Sequence, residues 1–197
     1  MKADSCARQI ILDSAIGAFA QKGYAGTSLQ DILKATRLSK PTLYYYFESK
    51  AGLFRAILDF AYDECFRLMS ERVKHKSRCE EILVALATAL FRFAEDNKDL
   101  TRLIFSTVFA APQEIPRGSI NKEKRRRNFE LVYGFIRQAQ KRKEIDLRYS
   151  TLELAHGIYG AISHQIRTQL LIPRGHLNCA KAKRIVELFL NGARKKI

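Results

Sequence analysis

Ser39-Lys40-Pro41-Thr42-Leu43-Tyr44-Tyr45-Tyr46-Phe47, continued by Glu48-Ser49-Lys50, decides how this chain is read. Three consecutive tyrosines lie between lysines on a segment too short for a core helix. Adjacent helical positions point about 100° apart, so one neighbouring surface cannot bury all three rings. Most of the phenol hydroxyls must therefore face something polar, and phosphate and base edges are the natural candidates. Ser39 can cap a helix here, and Pro41 is tolerated in its first turn because the amide it lacks would have no helical partner. Leu43 and Phe47, four apart, form the apolar pair that pins this helix, leaving Lys40, Thr42 and the tyrosines around its rim. The competing reading, in which an aromatic of this run fills a small core, stays open for one of the three. Tyr44 is the ring expected to be shared in that way.

Working outward, Ile11, Ala15, Ala18 and Phe19 recur at steps of three and four between Ala7 and Lys22, with Ile10 and Leu12 widening the stripe, which marks an amphipathic helix. Gly23 after Gln21-Lys22 has the pattern of a left-handed cap following a basic last turn. Thr27-Ser28-Leu29-Gln30 has capping-box spacing, with the Thr27 hydroxyl expected over the free amides of a second helix and Gln30 reaching back. That helix carries Leu29, Ile32 and Leu33 inward and runs out at Thr36-Arg37-Leu38. A short helix, a tight turn and another short helix, buttressed by a longer one, make a helix-turn-helix, in which the second short helix, here Lys40 to Tyr46, enters the major groove. Lys40 can donate to guanine O6/N7. Pro41 and Thr42 can meet a thymine methyl or offer a hydroxyl to a base, and tyrosine hydroxyls can bond phosphates. Lys50 with the amides opening the next helix, and Thr27 with Ser28 at the preceding helix start, suit phosphates on either side.

With these residues in place, the segment 8 to 58 resembles the DNA-binding domain of TetR-family transcriptional regulators. The resemblance is carried by Ala18-Phe19, Gly23-Tyr24, Thr27-Ser28, Asp31-Ile32, the run Ser39 to Phe47, Lys50 and Leu53, and covers about a quarter of the chain. Two departures stand on or near the reading face: Tyr46 where histidine is frequent, and Lys40-Pro41 where Lys-Gly is frequent. The resemblance implies a DNA-binding dimer controlled by a small molecule held in a helical second domain.

The chain has 197 residues, of which 47% are hydrophobic, enough for a sizeable core. No apolar run approaches the length of a membrane span and no signal-peptide pattern opens the chain, so a soluble cytoplasmic protein without membrane association is expected. The scattered Cys6, Cys65, Cys79 and Cys179 lack the spacing of zinc or redox motifs and read as reduced thiols. The net charge of +15 attracts polyanions but does not locate a DNA site: residues 1 to 50 carry +3 and the rest +12. The densest block, Arg117 to Arg148, carries +7.

After Ser49 the pattern is helical almost to the end, with a long apolar stripe from Lys50 to Lys74. Further helices are expected over Cys79 to Asp96, Asp99 to Ala111, Asn121 to Lys143, Ser150 to Leu171 and Asn178 to Lys195. The expected fold is all-α: a three-helix DNA-binding domain over 1–49 and a larger helical regulatory and dimerisation domain over 50–197. Gly157, Gly160 and Ala161 beside Leu154, Ile158 and Ile162, facing Ile185, Val186 and Phe189, read as a dimer surface, against the alternative that all of these pack inside one subunit. The TetR resemblance also implies a ligand pocket, for which Phe66, Phe105, Phe109, Tyr133 and Tyr159 are candidates, with His156 and His164 as polar groups; each competes with an ordinary core role. The two histidines are eight apart on one helix, and no carboxylate or cysteine array makes them a metal site. The run Lys122, Lys124, Arg125, Arg126, Arg127 near a helix start opposes the helix dipole and reads as a solvated face or a site for an anion.

Together these readings favour a ligand-responsive regulator, a repressor first, that binds a palindromic operator as a homodimer and needs no cofactor. The alternative is a sequence-indifferent architectural DNA binder. An enzyme is disfavoured, because no glycine-rich phosphate loop, Glu-x-x-His motif or catalytic triad spacing is present.

Overall fold

The structure is a computed structural model and describes residues 2–108, 110–111, 113–173 and 175–193. Among the described residues all regular structure is helical: α1 (Lys2–Gly26), α2 (Leu29–Thr36), α3 (Lys40–Phe47), α4 (Lys50–Val73), α5 (Cys79–Asp96), α6 (Lys98–Val108), α7 (Lys122–Lys141), α8 (Thr151–Leu171) and α9 (Cys179–Ala193). None of these helices is long and apolar enough to cross a membrane. The chain forms two compact units, Met1–Ala61 with Asn97–Lys122, and Tyr62–Asp96 with Glu123–Ile197. The long helix α4 supplies residues to both.

In the first unit, Ile11, Leu12, Ala15 and Phe19 of α1, Ile32 of α2, Leu43 and Phe47 of α3, and Leu53, Phe54, Ile57 and Leu58 of α4 are all buried. The α1 stripe is the one whose spacing marks it in the sequence. Gly23 interrupts α1 with φ 70 and ψ 173, a conformation open to glycine and strained for other residues, and so turns the chain toward α2. The α2 cap lies one residue later than the sequence reading placed it. Ser28 accepts from the Asp31 amide at 3.1 Å, and the Asp31 carboxylate accepts from the Ser28 amide at 3.1 Å and its hydroxyl at 2.9 Å. Thr27 is buried instead, its hydroxyl 2.7 Å from the Gly23 carbonyl. Arg37 closes α2 in the left-handed region (φ 57, ψ 17), which turns the chain within two residues toward the Ser39 cap of α3. At the far end of α3 a Cβ on Gly52 would collide with the Phe47 carbonyl oxygen, so the first turn of α4 can approach α3 only because residue 52 has no side chain.

In the second unit α5 is the central helix, with eleven of its eighteen residues buried, and it packs against α8 and α9. Carboxylates tie the helix connections: Glu144 accepts from the Cys79 amide at 2.6 Å and Glu95 from the Leu177 amide at 3.0 Å. Ser150 and Glu153 form a second capping box at the start of α8.

Candidate nucleic-acid interface and regulatory unit

The recognition segment folds as its sequence dictates. The Ser39 side chain accepts from the Thr42 amide, its hydroxyl lies 2.8 Å from that of Thr42, and Pro41 occupies the first turn of α3. Leu43 is fully buried and Phe47 nearly so, whereas Lys40 and Pro41 are exposed, Tyr44 is 40% exposed and Tyr45 76%. The ring held partly inside is Tyr46, not Tyr44: Tyr46 packs 5.0 Å from Tyr45 and 6.1 Å from Phe47. Tyr44 turns outward one helical turn from Lys40, whose ammonium lies 5.7 Å from its ring centre. Positions 44 and 46 flank the Leu43–Phe47 axis at about equal angles on opposite sides, so helical spacing alone does not choose between the two rings.

Around α3, Ser28 and Ser39 are exposed at helix starts, while buried Thr27 offers its hydroxyl to the protein rather than to solvent. Lys50 opens α4 with its ammonium 4.2 Å from the centre of the Tyr24 ring, and partial burial lowers its pKa below the usual lysine range. The Gly52 amide, one of those opening α4, already donates to the Ser49 hydroxyl at 2.9 Å. Arg8, which the sequence reading left aside, reaches from α1 to within 5.4 Å of the Phe47 ring centre. Its signal would have been its place at the start of the apolar stripe of α1, one turn before Ile11 and Leu12.

In the second unit, Arg127 stacks 4.2 Å over Phe66 and bonds Asp63 at 2.8 Å, while Lys124 bonds the same carboxylate at 2.7 Å. Burial pushes the Asp63 carboxyl up, but the hydrogen bonds and charges of Lys124 and Arg127 outweigh it and hold the group below its ordinary range. Arg126 pairs with Glu130 at 3.3 Å. Much of the basic run is therefore matched by carboxylates, one of them some sixty residues earlier in the chain. Asn128 is buried and donates to the Tyr62 carbonyl at 2.9 Å, leaving its Oδ1 and the Nε of Arg127 buried without hydrogen-bond partners. Phe129 stacks on His156 at 4.5 Å and meets Tyr159 edge-on at 6.0 Å; burial pushes the Tyr159 phenol up to about 12. His164 is exposed, beside Arg167 and Thr168 of its own helix. Tyr133 is half-buried, Phe105 belongs to the first unit, and Phe109 lies outside the described residues. No group of three or more His, Cys, Asp or Glu among the described residues is arranged to hold a metal ion.

The proposed dimer stripe divides. Leu154, Ile158, Ile162 and Val186 are buried within the subunit and cannot form an exposed contact surface. The four-residue spacing of Leu154, Ile158 and Ile162 along α8 faces them onto the unit's own core. Gly157 and Gly160 are exposed, Ala161, Ile185 and Phe189 half-buried, and Phe189 packs against Gly157, where an added Cβ would meet its ring at 3.4 Å. The exposed apolar side chains of these helices are Leu152, Leu171 and Leu188, the last 77% exposed.

A buried anchor pair, a basic and aromatic outer rim, and capped helix starts on either side define a helix-turn-helix DNA-binding domain. Residues 11–57 match the model for bacterial regulatory proteins of the tetR family. The chain is 40% identical over 70 residues to the uncharacterized HTH-type transcriptional regulator YuxN of Bacillus subtilis, covering 35% of this chain and 24% of that one. It is 29% identical over 104 residues to IcaR of Staphylococcus aureus, a negative transcriptional regulator of the biofilm operon icaADBC, covering 53% and 54%. The chain thus spans about half or less of the length of these two curated relatives. Among solved structures, the regulator FadR of Bacillus subtilis in complex with stearoyl-CoA shares the fold, with a TM-score of 0.80 at 21% identity over 94% of this chain and 99% of that one.

Proposed function

We propose that this protein is a ligand-responsive transcriptional repressor that binds a palindromic operator as a homodimer, with residues 1–49 binding DNA and 50–197 serving regulation and dimerisation. The observation that carries it is the two-sided character of α3, with Leu43 and Phe47 buried and Lys40, Pro41, Tyr44 and Tyr45 facing outward. Two-fold pairing supplies the second half-site that one short helix needs, with the recognition helices about 34 to 36 Å apart. Dimerisation uses the exposed flank of α8 and α9, where Gly160 is open and Leu188 is free. The effector occupies the second unit beside Phe66, Phe129, His156 and Tyr159, with the free Asn128 Oδ1 accepting a hydrogen bond and Arg127 Nε donating one. An effector that favours one arrangement of α4 over another shifts the recognition helices and releases DNA.

Selection of bound duplexes from a random pool tests the reading. A regulator prefers its operator over mixed sequence by about 10³ or more at fixed salt, whereas a sequence-indifferent architectural binder shows comparable affinity for both. Lys40→Ala is expected to relax preference at one base in each half-site, by about 1 to 3 kcal/mol. Lys50→Ala instead weakens all duplexes alike and lowers the salt slope by about 1. Equal effects of the two variants on every duplex would remove Lys40 from the base-reading set.

A further inference from the structure

Three cations of the first unit lie over aromatic rings: Arg8 at 5.4 Å, Lys40 at 5.7 Å and Lys50 at 4.2 Å from the ring centres. Only the last is deep inside the range of about 6 Å in which a ring face attracts a cation. We propose that Tyr24 is a positioning residue for DNA binding, its ring face holding the Lys50 ammonium in place before the phosphate arrives. The inference rests on the reading of Lys50 as a phosphate contact.

The ring is built to stay still. It stacks on Phe19 at 5.9 Å with an interplanar angle of 25° and meets Phe54 at 5.1 Å and 67°. Phe19 and Phe54 are themselves buried and packed edge to face at 5.2 Å. Gly23, immediately before it, gives the chain the turn that delivers Tyr24 to this cluster. Lys50 in turn belongs to none of the ion pairs found among the described residues, and the face of the Tyr24 ring, negative in its quadrupole, lies against its ammonium. An ammonium has three donors, and a ring face occupies one side of it, leaving the others for a phosphate oxygen. A lysine on a flexible four-carbon stem loses rotamer freedom when it grips a phosphate; one already held loses less on binding.

The test uses the full chain and a duplex of mixed sequence, because a phosphate contact is independent of sequence. Tyr24→Leu is expected to weaken binding about two- to fivefold, the value of a modest cation–ring interaction. Tyr24→Phe, which keeps the ring face, restores parental affinity. In the Lys50→Ala background, Tyr24→Leu has no further effect. A Tyr24→Leu loss that persists undiminished in that background, or parental affinity in Tyr24→Leu, overturns the proposal. Replacement of Tyr24 by phenylalanines of increasing fluorine content keeps shape and packing while draining the ring face of negative charge; affinity then falls stepwise, and a flat series overturns the proposal even if Tyr24→Leu does not fold. A Lys50→Ala variant with the parental salt slope would instead defeat the underlying phosphate reading, which the other arms leave distinguishable.

Discussion

Leu43 and Tyr45 stand two residues apart on α3 and face opposite ways, so truncating each to alanine separates folding from recognition. Leu43 is 0% exposed, and its alanine variant removes three buried carbons. Transfer at about 0.8 kcal/mol per carbon gives about 2.4 kcal/mol, and the residual cavity raises the cost toward about 4 kcal/mol. Tyr45 is 76% exposed, and its ring touches chiefly the Tyr46 edge. Removing it costs little packing, and alanine's better helix propensity offsets that, so the change should stay within about 0.5 kcal/mol. A hydroxyl bonded to a charged phosphate is worth about 1.5 to 3 kcal/mol, so Tyr45→Ala should weaken DNA binding at least about tenfold. Urea denaturation followed by circular dichroism gives the first quantity, and fluorescence anisotropy with labelled duplex at fixed salt the second. A Tyr45→Ala variant destabilised by more than about 1.5 kcal/mol, or a Leu43→Ala variant losing less than about 1 kcal/mol, would mean that α3 is rotated from the orientation described and would refute the reasoning.

Burial pushes the Cys65 and Cys79 thiols up to about 12, while Cys6 and Cys179 are exposed. An aromatic disulfide reagent at pH 8 should therefore titrate two thiols quickly and the other two only after denaturation. Because the Asp63 pKa is lowered in the folded state, its contribution to stability is fully present above the unfolded value of about 3.9 and is lost as pH falls through the lower folded value. With both partners partly solvated, the gap in urea stability between the parent and Asp63→Asn should be about 1 kcal/mol or less at pH 6 and should narrow as pH falls below the unfolded value of about 3.9. Leu188→Asp should leave the subunit's stability within about 0.5 kcal/mol while shifting sedimentation from dimer toward monomer; a variant that sediments as the parent does would remove Leu188 from the interface.

The helices were legible because apolar residues repeat at three and four along nearly every segment, and the α3 anchor pair could be read from spacing alone. The errors lie where the sequence offers two equivalent choices. Thr27 and Ser28 are both of a capping type, and Gln30 and Asp31 are both able to reach back; in the folded chain Ser28 and Asp31 form the box and Thr27 turns inward to the Gly23 carbonyl. In α8, spacing marks Leu154, Ile158 and Ile162 as one face but does not say whether that face meets α5 and α9 of its own subunit or a partner. The matching of Lys124 and Arg127 to Asp63 was hidden for another reason: the residues are some sixty positions apart, and charge pairing over that separation leaves no periodic trace. Lys50 over Tyr24 was equally silent, since each residue alone has an ordinary explanation.

The glycine at position 52 carries a consequence for inheritance. Every other amino acid brings a Cβ into the Phe47 carbonyl, so a missense change there damages the joint between α3 and α4 while leaving α5, α8 and α9 untouched. On the dimeric reading, such an allele makes subunits that pair normally but cannot hold DNA. Co-expressed with the parental gene, it would be dominant, because each mixed dimer withdraws a working subunit from the operator.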